Sequence, residues 1–237
     1  MSEPTSQAAV GADQQDATAT TRGLDTRTTE HGEAKVQTVT QTYATTVEDL
    51  WEAVTSAERL PRWFLPVSGD LRVGGTYQLE GNAGGTIETC EAPHRFTATW
   101  EFGGQVTWIA VTLSPAGAGA RLELEHTAVI DESNPEQQEF WAQFGPGATG
   151  VGWDLALMGL GAHVATGATM DPAASEAWSV SPEGVAYISE CSRLWGEASI
   201  ADGTPRDQAE AAAARTTAFY TGQPDPTAPQ DGAQPEA

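Results

Sequence analysis

The chain has 237 residues, of which 39% are apolar and eight are tryptophan, so it can bury a sizeable hydrophobic core. Its 33 acidic residues outnumber its 11 basic residues and give a formal charge of −22 at pH 7. This charge repels nucleic-acid phosphates and anionic lipid headgroups, so it argues against binding to nucleic acid or to a membrane, and it favours a monomer or a weak dimer.

Both ends of the chain have compositions typical of disorder. Residues 1–34 contain almost no large apolar side chain, and residues 222–237 are rich in proline. Such segments cannot bury enough apolar surface to offset the entropy that they lose on ordering. We therefore predict a disordered leader at residues 1–34 and a disordered tail at residues 222–237.

The folded part is predicted to begin with a strand and two helical turns. Residues 36–43 alternate apolar and polar side chains, as a half-buried strand does. Residues 47–54 place apolar side chains on one helical face, and a second helical turn follows at residues 56–63. The apolar period then changes to two, which predicts five strands separated by Gly, Asn or Pro at residues 76–80, 86–90, 96–102, 106–113 and 121–129.

The rest of the chain is predicted to be helical. Residues 131–144 form a polar and aromatic connection, and apolar side chains at helical spacing predict a long helix from about residue 149. Three glycines in this helix cost about 1 kcal/mol each in helix propensity, which predicts that the backbone of a concave sheet packs closely against Gly152, Gly159 and Gly161. Helical signals around residue 175, after Ser181 and after Thr204 predict an extension at residues 169–221 that packs on a main domain at residues 35–168.

The sequence lacks motifs for metals, cofactors or covalent catalysis. Cys90 and Cys191 lie far apart with no Cys/His cluster, which predicts two reduced, partly buried thiols, no metal and no cofactor. Residues 145–150 match GxGxxG, but no buried strand precedes them, so we interpret them as a tight turn; the alternative is an anion site on the free N–H groups of the turn. No signal-peptide pattern or long apolar run is present, which predicts a cytoplasmic protein.

The order of these elements and several local runs resemble a known superfamily. A strand, two short helices, five strands and a long helix are similar to the SRPBCC superfamily of START-like proteins. The runs LWEAVTSAERLPRWFLPVSGDLRVGGTY and FGPGATGVGWDLALMGL resemble its branch of homologues of the activator of the Hsp90 ATPase. The resemblance implies an α+β, helix-grip fold: a curved antiparallel sheet around a long helix that leaves an apolar cavity, here with an extra C-terminal helical cap.

The candidate ligand-binding residues are aromatic, with one histidine. Ligand cavities are lined mainly by apolar and aromatic groups, so we expect part of the aromatic set to face the cavity, the alternative being ordinary core packing. His126 is in phase with Leu122 and Leu124 on its strand, so it should face the interior, either as a polar ligand anchor or general base or as a core histidine with internal partners. The predicted site consists of Trp63, Phe64, Trp100, Trp108, His126, Trp141, Phe144 and Trp153.

Three functions are compatible with the sequence. The first, favoured because no catalytic motif is present, is a binding module for an apolar or aromatic small molecule. The second is a cyclase-like or hydrolase-like enzyme in which His126 is a general acid or base assisted by Asp154, a residue that could equally pair with an arginine or face solvent. The third is a stress-related or chaperone-regulating protein-interaction module, which would need an exposed apolar patch on the helices of residues 171–221.

Overall fold

The computed structural model describes residues 16–227. A short 3-10 turn at Ala17–Ala19 precedes the first strand. The strands are β1 (Thr21–Thr29), β2 (Gly32–Tyr43), β3 (Val67–Gly69), β4 (Thr76–Leu79), β5 (Gly84–Glu91), β6 (Arg95–Phe102), β7 (Gln105–Ala116) and β8 (Gly119–Val129). The helices are α1 (Val47–Thr55), α2 (Leu60–Trp63), α3 (Pro135–Phe144), α4 (Gly147–Thr166), α5 (Pro172–Ser179), α6 (Pro182–Ala201) and α7 (Arg206–Thr221).

The strands form one antiparallel sheet, and the predicted α+β, helix-grip fold is confirmed. The spatial order is β1-β2-β8-β7-β6-β5-β4-β3, so β2 returns to pair with β8 while the remaining neighbours are consecutive in the chain. Gln37, His126, Ile109 and Ala98 lie side by side across four strands, and all four are buried on the inner face of the sheet. The long helix α4 packs across this face against β2, α1 and α2.

The C-terminal helices bury their apolar face on the same core. Helix α6 packs against α4 and β1, and α7 packs against α6, α4 and α3. Ile188, Cys191 and Trp195 of α6 have no exposed surface. Ser181 caps α6 by accepting a hydrogen bond from Gly184 N, as its Ser-Pro-Glu signal predicts. The boundaries of a main domain at residues 35–168 and an extension at residues 169–221 stay predictions.

The expected disordered leader is wrong for residues 16–34. Residues 21–29 form β1, which pairs along its whole length with β2 from Thr21↔Thr40 to Thr29↔Gly32. Composition missed this strand because it buries little apolar surface: Leu24 is its one buried apolar side chain, and backbone pairing together with a buried Arg22 holds it in place. Residues 1–15 and residues 228–237 of the expected tail lie outside the described residues.

Residues 131–144 contain a helix where the sequence predicted a connection. Asn134 caps α3 by accepting hydrogen bonds from the backbone N–H groups of Glu136 and Gln137, and Pro135 occupies the first helical position. This Asn-Pro-Glu signal is typical of a helix start. Apolar periodicity does not reveal this helix, because α3 buries none of its residues and therefore lacks an apolar stripe.

The glycines of α4 permit close contacts, but not with the sheet. A Cβ atom on Gly159 would lie 2.7 Å from the carbonyl oxygen of Trp63, so a backbone does pack closely there, but it belongs to α2. Gly152 faces the Tyr220 hydroxyl of α7, and Gly161 has ordinary spacing to a side chain of β2. The expected approach of a concave sheet backbone is therefore wrong. Within residues 16–227, no helix has the length and apolarity that a membrane span requires.

Candidate ligand-binding cavity

An apolar cavity of about 480 Å³ lies between the inner face of the sheet and helices α1, α2 and α4. Its volume is in the range of small-molecule sites. Its floor is formed by aliphatic side chains of β7 and β8, and α4 contributes Ala156 and Leu157 to one wall. Leu71 and Val73, in the loop between β3 and β4, are part of the lining and are 38% and 52% exposed. This loop therefore marks the mouth of the cavity.

Four of the predicted site residues form a continuous aromatic row in the cavity wall. Trp63 stacks on Phe64 with ring centroids 5.4 Å apart, and Phe64 stacks on Trp153 at 6.3 Å. Trp153 in turn contacts Trp100 at 5.0 Å with a tilt of 59°. Helices α2 and α4 and strand β6 thus bring together residues that lie up to 90 positions apart in the sequence.

Four of the lining residues have a polar group that is bonded to a protein acceptor. The hydroxyl of Tyr77 is mostly buried, and burial raises the pKa of this phenol, so it stays protonated and donates its hydrogen bond at neutral pH. Each group bonds to an atom of the protein: Trp63 Nε1 to Ala53 O at 2.9 Å, Trp153 Nε1 to His126 Nδ1 at 3.0 Å, Tyr77 Oη to Thr99 O at 2.7 Å, and Thr55 Oγ1 to Trp51 O at 2.7 Å.

His126 lies behind the cavity wall and is not among the lining residues. Its Nδ1 accepts from the Trp153 indole, so the ring proton is on Nε2, which donates to Thr107 Oγ1 at 2.7 Å. Thr107 then donates to Trp100 O at 3.0 Å. Burial lowers the pKa of His126 to about 4, so the imidazole is neutral at pH 7. His126 faces the interior as predicted, but both of its ring nitrogens are bonded to protein groups and the ring does not line this cavity.

Three other predicted site residues lie away from the cavity. Trp108 is one position out of phase with the inner face and stacks on His31 at 3.9 Å. Trp141 lies beneath the ammonium group of Lys35, 6.0 Å from the ring centroid. Phe144 packs between Phe140 and Phe219 at the surface, with centroids 5.3 and 5.7 Å away. These three side chains do not line this cavity, because composition alone does not show which face an aromatic side chain occupies.

Asp154 belongs to a buried ion pair on another face of α4. Its Oδ1 lies 2.9 Å from Arg22 Nη2, and the side chains are 0% and 3% exposed. Its Oδ2 accepts from Arg22 Nε at 3.1 Å and from Trp195 Nε1 at 3.0 Å. Burial raises the pKa of this carboxyl, although the guanidinium opposes the shift. The expected assistance of His126 by Asp154 is therefore wrong, because the two side chains bond to different partners.

The sequence match covers the elements that build this cavity. A sequence model of the family of Activator of Hsp90 ATPase homolog 1-like proteins matches residues 44–165, slightly more than half of the chain. The chain belongs to this family. The matched segment runs from just before α1 to the end of α4, so it includes both walls of the cavity.

Solved structures of other proteins are also similar to this chain. The crystal structure of CalU16 from Micromonospora echinospora is 34% identical, with 76% of this chain and 98% of that chain covered and a TM-score of 0.59. The solution NMR structure of CalU16 is also 34% identical, covers 78% and 97%, and has a TM-score of 0.65. An Hsp90 activator from Plasmodium falciparum is 22% identical over 45% and 86% of the two chains, but its TM-score of 0.37 is too low to carry an argument. Among curated proteins, none matched this chain.

Several lining residues of this family member were not singled out in the sequence. They include the aliphatic floor and Cys90, which is exposed, whereas Cys191 is fully buried, so the expectation of two partly buried thiols holds for neither. A signal for the floor was present in the sequence. On β8, Leu122 and Leu124 share the phase that placed His126 inside, and both line the cavity.

The alternative of an anion site at residues 145–150 finds no support in the described part of the chain. Residues 16–227 contain no group of three or more His, Cys, Asp or Glu side chains placed to hold a metal ion. The turn before α4 is covered by other elements: Gln37 donates to Pro146 O at 2.7 Å, and Gly147 packs against Thr216. The first residue of α4 that lines the cavity is Trp153, so the helix start does not face a ligand there.

Proposed function

We propose that this protein binds an apolar, ring-containing small molecule in the cavity between the sheet and α4. The observation that carries the proposal is a space of about 480 Å³ with aliphatic and aromatic walls, whose bonded polar groups point to protein partners. Burial of apolar surface contributes about 25 cal/mol per Å² to affinity before the costs of association are counted. A ligand of this kind needs no charged partner.

The same lining favours binding over catalysis. Its ionisable side chains are Arg72, Tyr77 and Cys90. Arg72 is 77% exposed at the mouth and bonds to Asp70, and Tyr77 donates to the backbone. General acid–base catalysis needs a titratable group within hydrogen-bond reach of the reacting atoms, and the neutral His126 is bonded on both of its nitrogens behind the wall.

A filled cavity provides the direct test. Ala156 is 7% exposed and lines the cavity from α4, so Ala156→Trp should occupy part of the space. We expect at least tenfold weaker binding of the uncharged fluorescent reporter N-phenyl-1-naphthylamine, and loss of any ligand mass seen by native mass spectrometry. Ala174→Trp, on the exposed surface of α5, is the matched control and should bind as the unaltered protein does. Full reporter affinity in a folded Ala156→Trp variant, checked by far-ultraviolet circular dichroism, would contradict the proposal.

A second candidate function is stimulation of an Hsp90-type chaperone, as the family description suggests. The observation that favours it is a surface cluster formed by Phe140, Phe144 and Phe219, in which Phe140 is 48% and Phe219 is 65% exposed. The test measures the steady-state ATPase rate of a bacterial Hsp90 with increasing amounts of this protein. Stimulation should be lost in Phe140→Ser/Phe219→Ser and kept in Val180→Ser, an exposed control; an unchanged rate with the unaltered protein excludes this role.

A further inference from the structure

Four tryptophans line the cavity, and their indole N–H groups differ in whether they are bonded to the protein. Trp63 Nε1 and Trp153 Nε1 donate to protein acceptors at 2.9 and 3.0 Å. Within residues 16–227, the Nε1 atoms of Trp51 and Trp100 have no hydrogen-bond partner. The wall of an otherwise apolar cavity therefore keeps two N–H donors that the protein does not use.

Both unused N–H groups are open to a bound molecule. The side chains of Trp51 and Trp100 are half-buried, and neither indole nitrogen is enclosed by protein. Each nitrogen therefore reaches a space that can hold at least a water molecule. An apolar lining gives such a water few other partners, so an oxygen atom of a ligand can displace it without loss of a strong bond.

We propose that the cavity binds ring systems that carry a carbonyl oxygen, such as aromatic ketones and quinones, and that Trp51 and Trp100 donate hydrogen bonds to this oxygen. The inference rests on the proposed binding function and names the chemical class of the ligand. It gives the two tryptophans a role in recognition that ring packing alone does not provide.

The other lining side chains favour a ligand that accepts hydrogen bonds over one that donates them. Among the described residues that line the cavity, none is Asp, Glu, Asn, Gln or His. The hydroxyls of Tyr77 and Thr55 already donate to backbone carbonyls, and Arg72 lies at the mouth. A hydroxyl or amine of a ligand would leave water without meeting a carboxylate, amide or imidazole. A carbonyl group only accepts, and it meets an indole N–H.

The two donors serve different parts of the cavity. Trp51 contacts Phe96 edge-on, with ring centroids 6.0 Å apart and an angle of 76°. Trp100 lies four residues beyond Phe96 on the same face of β6, which is about 13 Å along a strand. Trp100 also contacts Trp153 of the aromatic row at 5.0 Å. A ring bound beside this row can place its oxygen next to Trp100, and a longer ligand can reach Trp51 as well.

The test compares fluorene with 9-fluorenone, which share one ring skeleton and differ by a carbonyl group. Both affinities are measured by displacement of N-phenyl-1-naphthylamine. The variant Trp51→Phe/Trp100→Phe keeps a ring at both positions and removes both N–H groups. A neutral hydrogen bond contributes about threefold to tenfold in affinity, so this variant should bind 9-fluorenone at least threefold more weakly relative to fluorene. Trp108→Phe is the matched control, because Trp108 stacks on His31 away from the cavity, and it should leave the ratio unchanged.

The indole N–H resonances give a readout that does not depend on the double variant. The resonances of Trp51 and Trp100 are assigned by the loss of a signal in each single Trp→Phe variant. Saturation with 9-fluorenone should move at least one of them to higher chemical shift, because a hydrogen bond deshields the proton. Fluorene should cause only the ring-current shift that both probes share. If the double variant does not fold, this comparison of the two probes decides.

Each outcome decides one of the two proposals. An unchanged affinity ratio in the folded double variant, or equal indole shifts with the two probes, overturns the role of the donors, although the cavity still binds rings. An equal loss of affinity for both probes shows that the two tryptophans contribute ring packing alone and also overturns it. If neither probe nor N-phenyl-1-naphthylamine binds the unaltered protein, the proposed function itself is wrong, and this inference falls with it.

Discussion

Substitution of Arg22 by methionine should destabilise the fold strongly, although Arg22 lies in a segment whose composition resembles a disordered leader. The side chain is 3% exposed, and its guanidinium pairs with Asp154, which is 0% exposed. Methionine keeps much of the length and apolar contact of the arginine but removes the charge. The variant therefore leaves a carboxylate buried without its cation.

The expected cost follows from the burial of both partners. Removal of one member of a buried ion pair typically costs about 3–5 kcal/mol, because the remaining charge is uncompensated. Trp195 still donates to Asp154, which puts our expectation at the lower end, about 3 kcal/mol. For a chain of this size that corresponds to a fall in melting temperature of roughly 6–12 °C.

Urea unfolding at pH 7, followed by tryptophan fluorescence and far-ultraviolet circular dichroism, measures this cost. Arg206→Met is the matched control, because its pair with Glu210 is 70% and 65% exposed and should contribute less than about 0.5 kcal/mol. The double variant Arg22→Met/Asp154→Asn removes the buried charge and keeps an acceptor for Trp195, so it should recover more than half of the loss. A loss below about 1 kcal/mol in Arg22→Met, or no recovery in the double variant, would refute the reasoning.

The pH dependence of the same variant gives an independent check. Burial already raises the pKa of Asp154 in the unaltered protein, and loss of Arg22 should raise it further. The folded variant then binds a proton that the unfolded chain does not bind, so its stability should fall as pH rises through the shifted pKa. The deficit of Arg22→Met relative to the unaltered protein is therefore expected to shrink as pH falls below 7.

Two further predictions concern the inner face and the long helix. Burial lowers the pKa of His126 from 6.5 to about 4, so the unfolded chain binds a proton at a higher pH than the folded protein does. The free energy of unfolding should therefore fall by about 3 kcal/mol as pH drops from about 6.5 to 4. Urea titrations at several pH values should show that His126→Asn lacks this pH-dependent loss. Gly150→Ala should lower the melting temperature by several degrees, because the new methyl group would overlap the Trp195 ring. Gly161→Ala should raise the free energy of unfolding by up to about 1 kcal/mol, because its Cβ would lie at an ordinary distance of 3.6 Å from Tyr43. The opposite order of stability would show that packing does not control these sites.

Much of the fold could be predicted because periodicity reports burial. The strands β4–β8 and the helices α1 and α4 each carry an apolar pattern that matches their secondary structure. Strand β1 and helix α3, which the sequence did not predict, have no such apolar pattern. Strand β1 relies on backbone pairing and one buried ion pair, and α3 buries no residue. Local composition cannot detect a partner such as Asp154, which lies 132 positions from Arg22.

The sequence predicted an apolar cavity lined by aromatic side chains, but it identified only some of the residues that line it. The phase of β8 placed His126 inside correctly, but it could not show that Trp153 would take up one of its ring nitrogens. The aromatic set also mixed two environments. Trp100 and Trp153 meet in the cavity wall, whereas Trp108 stacks on a histidine elsewhere. Strand register and helix orientation decide between these environments, and both depend on contacts between distant parts of the chain.

Adjacent residues of α4 connect the cavity to the ends of the chain. Successive helical side chains point about 100° apart, so Trp153 faces the cavity while Asp154 faces β1 and α6. The partners of Trp153 lie within the family match at residues 44–165, but those of Asp154 lie outside it, on β1 and α6. Removal of β1 or α6 would take away Arg22 or Trp195, and the buried Asp154 carboxylate would lose one of its partners. Asp154 is the residue next to Trp153, which lines the cavity. The additions to the family domain therefore help to hold the helix that orients the cavity-facing Trp153.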